Sequence, residues 1–352
     1  DSMTSGFNIG SDYSLEPMLN EMMGFTTEEI YDLAENTIKD IIDIKERINH
    51  LKSYYDGYKF HIEGEYNLYN SDMVLYYMSH SQRRGKEPEN MIDKNVVSDY
   101  GKIARLFEVG GRDNRRIQTL KDIVRGNSQQ VRIKERFNLE YEFSLDDFKS
   151  LLFYMGMMTI KDVDDFGTTY IDVPNQVIKE LYFKYFEKII EKEMQYKIDE
   201  TKVRSAIKEI AKDGKVTELI KLTEKTLKRL SGRDFIKFDE KYIKVIMLGF
   251  LFKSNLYFAK SEYEVEDGYI DIVLMKGTVG QPRNYAMLEI KYIKKSDYSE
   301  KLVEKKLDEA KKQLDKYFQT EELMSIPNMK RVALVFCGEK CVRKEYLATN
   351  NN

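Results

Sequence analysis

The stretch from Gly268 to Lys291, GYIDIVLMKGTVGQPRNYAMLEIK, limits what this chain can fold into more than any other. Two apolar runs, Tyr269 to Met275 and Tyr285 to Ile293, flank a Gly/Pro/Gln/Asn cluster, which is the pattern of an antiparallel β-hairpin. The runs hold charges where strands disfavour them: Asp271 in the first, Glu289 and Lys291 in the second. Side chains alternate along a strand, so Glu289 and Lys291 share one face while Leu288 and Ile290 take the other. Two carboxylates and a lysine can therefore converge. Carboxylate oxygens suit a hard divalent cation such as Mg²⁺, and a lysine beside it would orient an attacking water or stabilise charge on a phosphate. The plainer reading is a same-face ion pair at a strand surface, worth little, with Asp271 solvated near a turn. The Ile, Val, Leu and Met neighbours on both strands favour the metal site, because charges set among them need partners.

The order Asp271, turn, Glu289-x-Lys291 resembles the PD-(D/E)XK nuclease superfamily, although Ile270 stands where its proline would and Gly268-Tyr269 where a Gly-Arg pair is common. Glu240 opens a helix upstream, and Gln313 lies in a helix downstream, within DEAKKQLDKY (Asp308 to Tyr317). The run from Asp239 to Lys344 is similar to the nuclease-like module at the C-terminus of bacterial AAA-ATPase-like proteins. That resemblance implies a restriction-endonuclease-like domain of αβββαβ order. It also implies that Asp271 and Glu289 hold Mg²⁺ or Mn²⁺, that Lys291 positions or activates water, and that Glu240 and Gln313 assist. Glu240 reads equally well as an acid favourably placed at a helix N-terminus.

The resemblance reaches further back. Tyr54 to Phe60 (YYDGYKF) and Glu65 to Met78 (EYNLYNSDMVLYYM) are similar to the region just beyond the ATPase core of those proteins, where a Tyr-Asp-Gly-Tyr turn precedes a helix. No glycine-rich phosphate loop is present: Gly85-Lys86, Gly101-Lys102 and Gly214-Lys215 each lack the upstream glycine and following hydroxyl. This chain is therefore not expected to hydrolyse ATP by itself, and the resemblance implies that a phosphate-binding part would lie ahead of Asp1. Asp56 and Tyr58 read either as remnants of an ATPase-side surface or as a plain turn.

Thr26 to Glu29 supply a helix cap and early acids ahead of a stripe through Ile30, Leu33, Ala34, Ile38, Ile41 and Ile42, within a mostly helical 1–60. His80 to Asn90 reads as a loop, and Arg112, Arg115 and Arg116 as a basic cluster, with a solvated surface preferred to a binding patch because acids lie nearby. Ser144 to Met155 reads as a capped helix ended by Gly156. Strands follow at Met158 to Val163 and Thr168 to Val173 around the turn Asp164 to Gly167, then a helix at Gln176 to Lys192. Helix, hairpin and helix look like a winged helix. Such domains often read DNA, but Asp162, Asp164, Asp165 and Asp172 make this wing acidic, so protein docking or an ATPase-lid role is preferred. Residues 195–236 form two amphipathic helices that turn at Gly214.

These readings make an α+β protein with a helical region at 1–140, a winged-helix-like region at 141–194, a helical linker at 195–236 and a nuclease-like domain at 237–347. In the last, helix Glu240 to Asn255, strand Leu256 to Ser261, the hairpin, helix Tyr298 to Phe318 and strand Arg331 to Cys337 follow in turn. A length of 352 residues, 42% hydrophobic and 33% charged, fits several globular domains. The net charge of −3 gives no global attraction to nucleic acid, so binding would need a local basic patch. No run of 18 apolar residues occurs and the N-terminus lacks a signal pattern, which excludes a membrane and points to the cytoplasm. Two cysteines, Cys337 and Cys341, are too few for a disulfide framework or a four-cysteine zinc site and read as idle thiols. The expected function is metal-dependent hydrolysis of phosphodiester bonds, on DNA in preference to RNA. The rival is a catalytically silent interaction or regulatory module serving the ATPase half of an AAA-ATPase-like protein, with a protein partner possible through the winged-helix region. The intact Asp271, Glu289 and Lys291 favour the enzyme, and the acidic net charge favours the rival.

Overall fold

A computed structural model describes residues 15–38, 41–93, 107, 115–134, 143–195, 197–230, 239–265 and 268–348. The chain forms two compact units, Asp1–Tyr182 and Phe183–Asn352. The first opens with helices α1 (Thr27–Thr37), α2 (Ile41–Tyr55) and α3 (Ser71–Arg84). Thr26 and Glu29 close a reciprocal capping box on α1, as the spacing of hydroxyl and acid dictates. The helix α3 runs to Arg84 before Gly85 stops it in a left-handed turn, so the first half of the expected His80 to Asn90 loop is helical.

The Tyr-Asp-Gly-Tyr segment is a structural turn. Gly57 has φ +112°, and a Cβ there would collide with the Pro174 carbonyl oxygen. Tyr58 is buried, and its hydroxyl donates to the Gly156 carbonyl at 3.0 Å. These contacts favour the plain-turn reading of Asp56 and Tyr58.

Helix α4 (Arg115–Val124), strand β1 (Gln129–Val131), helix α5 (Leu145–Tyr154), strands β2 (Thr159–Val163) and β3 (Thr169–Asp172) and helix α6 (Gln176–Met194) complete this part of the chain. The expected helix, hairpin and helix are present. The short polar β1, which the sequence reading passed over, pairs antiparallel with β3 to make a sheet of order β1-β3-β2. Arg116 stacks over the Phe143 and Phe148 rings at 5.3 Å from each centroid, a packing role rather than a phosphate-facing one. Arg112 of the same cluster lies outside the described residues.

In the second unit, α7 (Glu200–Asp213) and α8 (Thr217–Leu230) turn at Gly214, whose φ is +66°. Residues 231–236 of the expected linker lie outside the described residues. Helix α9 (Glu240–Leu251) leads into strands β4 (Tyr257–Val265), β5 (Gly268–Lys276) and β6 (Tyr285–Ile293), helices α10 (Glu300–Tyr317) and α11 (Glu321–Ser325), and strands β7 (Met329–Cys337) and β8 (Lys340–Leu347). The sheet order is β4-β5-β6-β7-β8, with β6 and β7 parallel and the other neighbours antiparallel. The expected αβββαβ order is thus extended by α11 and β8. The missed strand is half charged, with Arg343, Lys344 and Glu345 in succession, and lies at a sheet edge, where lysine and arginine discourage pairing with another chain. The core packs Val303, Leu307, Ala310 and Leu314 of α10 against Val273, Met287 and Val335 of the sheet. Cys337 and Cys341 are free thiols, and among the described residues no helix is long and apolar enough to cross a membrane.

Candidate active site

The hairpin splays where its charges lie. β5 and β6 pair only at Ile272↔Leu288, Val273↔Met287 and Leu274↔Ala286. The next cross-strand position is Asp271 opposite Glu289, and there the ladder bond is replaced by a side chain: Asp271 Oδ2 accepts from the Ile290 N–H at 2.8 Å. This fixes the Asp271 carboxylate between the strands. On β6, two residues apart on one face, Lys291 Nζ donates to Glu289 Oε1 at 2.7 Å.

Helix α9 supplies the other wall. Asp239 caps it by accepting from the Tyr242 N–H, and Tyr242, Ile243, Val245, Ile246, Met247, Leu248, Phe250 and Leu251 are buried around its circumference, the signature of a core helix. Glu240 and Lys244, one turn apart, are its charges toward the hairpin. The Glu240 carboxylate lies 3.9 Å from Lys291 Nζ, while Lys244 Nζ lies 3.4 Å from Asp271 Oδ1 and 2.9 Å from Glu262 Oε1 on β4. Asp271, Glu289, Lys291 and Glu240 are therefore brought together. Gln313 is half-buried on α10, and among the described residues no hydrogen bond or ion pair joins it to that set.

Sequence reasoning missed Lys244 and Glu262. A signal for the first existed: it is the charged residue inside an apolar run, four positions after Glu240, and it is 7% exposed. Glu262 gave no such signal: it lies just past the expected strand Leu256 to Ser261, and its left-handed backbone, φ +52°, is not announced by the residue type.

Burial sets the electrostatics. Glu289 is 2% exposed. Burial first, and then the Asp271 charge, raises its carboxyl to about 7, against the partial opposition of Lys291. Glu240 is raised by the same two causes in the same order. For Lys291, burial favours the neutral amine, but Glu289 and then Glu240 and Asp271 outweigh it and hold the ammonium above its ordinary range. Lys244 is likewise raised, with burial overcome by Asp271 and Glu262. Glu289 Oε2 is buried without a hydrogen-bond partner. Such an atom costs free energy and is a ready donor for a hard cation.

Residues 238–346 match the family model described as the PD-(D/E)XK nuclease superfamily, which supports a nuclease-type fold for that stretch. Among curated proteins none matches the chain. Nucleases of that superfamily typically use divalent metals. Among the described residues no group of three or more His, Cys, Asp and Glu is arranged to hold an ion. Two carboxylates with waters satisfy Mg²⁺, however, and the all-oxygen donors of Asp271 and Glu289, one of them orphaned, fit that requirement.

Proposed function

We propose that the nuclease-type domain hydrolyses phosphodiester bonds of DNA or RNA with a divalent ion, Mg²⁺ or Mn²⁺. The observation that carries this reading is the convergence of Asp271, Glu289 and Lys291 beside Glu240 on splayed strands. Asp271 and Glu289 would hold the ion, which when bound supplies a more acidic water and neutralises phosphate charge. Asp271 is preorganised for this by the Ile290 N–H. Lys291, kept charged by Glu289 and Glu240, presents a desolvated ammonium to a water or a phosphate oxygen, where it is worth more than in bulk solvent. Gln313, which among the described residues has no hydrogen bond to these groups, would act through the substrate.

The test is a cleavage assay on single- and double-stranded DNA and on RNA with Mg²⁺ or Mn²⁺, with metal binding followed by calorimetry. Wild type is expected to bind the ion and cut, and Asp271→Ala to lose both. Equal cleavage by the two proteins would identify a contaminant.

A second reading, a catalytically silent module, is favoured by one specific observation. Lys244 and Lys291 neutralise Asp271 and Glu289 without any ion, and basic side chains nearby are already paired, Lys306 with Glu309 and Arg343 with Glu300 and Glu304. Absence of both cleavage and metal binding in wild type would establish it. The further reading of the first unit as the region beyond an AAA-ATPase-like core, with a winged-helix-like part that docks a protein, is supported by sequence resemblance. Tight Mg²⁺-dependent ATP binding by this chain would contradict it.

A further inference from the structure

Strand β4, beside the hairpin, brings one acid more than the proposed reaction uses. β4 and β5 pair Ser261 with Ile272 and Tyr263 with Ile270, so Glu262 lies across from Asp271, on the side away from Glu289. Its backbone has φ +52°, a left-handed conformation that disfavours any residue with a Cβ. Its side chain is 40% exposed, whereas that of Lys244, whose ammonium it receives, is 8% exposed. That ammonium is shared unequally, at 2.9 Å from Glu262 Oε1 and 3.4 Å from Asp271 Oδ1.

We propose that Lys244 is a built-in competitor of the divalent ion at Asp271, and that Glu262 is the acceptor to which its ammonium withdraws when an ion binds. The proposal rests on the reading that Asp271 and Glu289 hold an ion. The unequal sharing is what makes the exchange local. The shorter bond already runs to Glu262, so only the 3.4 Å contact has to yield. Asp271 need not move, because its other oxygen stays on the Ile290 N–H. Asp271, freed of that contact, and Glu289, one of whose oxygens is buried without a hydrogen-bond partner, would then hold the ion. A cation and an ammonium cannot both sit against Asp271 in a buried site, where like charges repel far more strongly than in water.

The test is a Mn²⁺ titration by calorimetry on the full chain and on Lys244→Met, Glu262→Gln and the double variant, with circular dichroism to verify folding. Lys244→Met is expected to bind Mn²⁺ at least ~10-fold more tightly and Glu262→Gln ~5-fold more weakly, within the range of ordinary site-to-site coupling. The Glu262 effect is expected to vanish in the Lys244→Met background. A mere field effect of one carboxylate would instead weaken binding equally in both backgrounds, and that additivity would overturn the proposal. So would unchanged or weaker binding in Lys244→Met while wild type binds. Should Lys244→Met not fold, Lys244→Gln, which keeps a donor without the charge, carries the same expectations. Absence of Mn²⁺ binding in every variant would instead remove the metal reading itself and this proposal with it.

Discussion

Two hairpins in this chain carry acids on or beside their strands, and they use them in opposite ways. In β2–β3, Asp162 and Asp165 are exposed, Asp164 is spent on its own turn by accepting from the Phe166 and Thr168 N–H groups, and Asp172 pairs with a half-exposed Lys161 at 2.9 Å. Phe166 at the tip is 95% exposed. In β5–β6, Asp271, Glu289 and Lys291 are all buried, and their partners come from α9 or from each other. An acid in water needs nothing beyond solvent, whereas an acid under a helix must find a cation or give up its charge. What covers a hairpin therefore decides whether its charges decorate a surface or form a site.

The largest expected difference is in stability. Ile290→Ala empties a fully buried position in β6, and the cost is expected at ~2–5 kcal/mol. Phe166→Ala trims an exposed ring and is expected to change stability by less than about 0.5 kcal/mol. Urea unfolding of both variants checks this, and a Phe166→Ala cost approaching that of Ile290→Ala would erase the contrast between the hairpins.

The next effect is catalytic. Lys291→Ala removes an ammonium but no metal ligand, so metal binding should persist while turnover falls by on the order of a hundredfold, the scale of losing one preorganised charge. Lys161→Ala, which removes the ammonium paired with Asp172 in the other hairpin, should leave turnover unchanged. Single-turnover cleavage with Mn²⁺ measured beside calorimetric binding separates the two outcomes. Equal losses in turnover would show that the β5–β6 lysine has no special place.

The β5–β6 site was legible to the extent that it is local in sequence. Period-two alternation places Glu289 beside Lys291 whatever the rest of the fold does. Lys244 was not legible as a site residue, because a single lysine in an apolar helix usually snorkels its head to water. Here the Lys244 side chain is 8% exposed and its head is held by Glu262 and Asp271. Glu262 was hidden by pairing with β5 and by an unusual backbone turn that no residue type announces. Gln313 is the reverse case: its place in a motif drew attention, yet the geometry of α10 gives it no bond to the site. Among the strands, apolar β7 was plain to read, while β8, whose charges run together at Arg343, Lys344 and Glu345 without a period of two, and β1, three residues long, carry too little pattern to register.

The smallest expected effect distinguishes the hairpins by the sign of their response to pH. Glu289 has an ordinary value of 4.5 when unfolded and about 7 when folded. Between those values the unfolded chain has released a proton that the folded chain retains, so metal-free stability should fall as pH rises from about 4.5 to about 7 and then level off. Each pH unit of difference corresponds to about 1.4 kcal/mol, but Asp271 and Lys291 respond to the same proton, so the total should reach at most ~3 kcal/mol. Asp164 goes the other way. Hydrogen bonds from the Thr168 and Phe166 backbone hold its carboxyl below the ordinary 3.8, so its contribution is present above that value and is lost as pH falls through the folded one. Hydrogen exchange read by mass spectrometry in EDTA reports each hairpin through its own peptides. Protection across 285–293 should fall from pH 4.5 to 7, after correction for intrinsic exchange, and Glu289→Gln should flatten that slope. Protection across 159–172 should fall only in acid, and Asp164→Asn should abolish the fall. A slope across 285–293 that survives Glu289→Gln would assign the buried proton to another group and weaken the account of why this hairpin, and not the other, is poised to take up a cation.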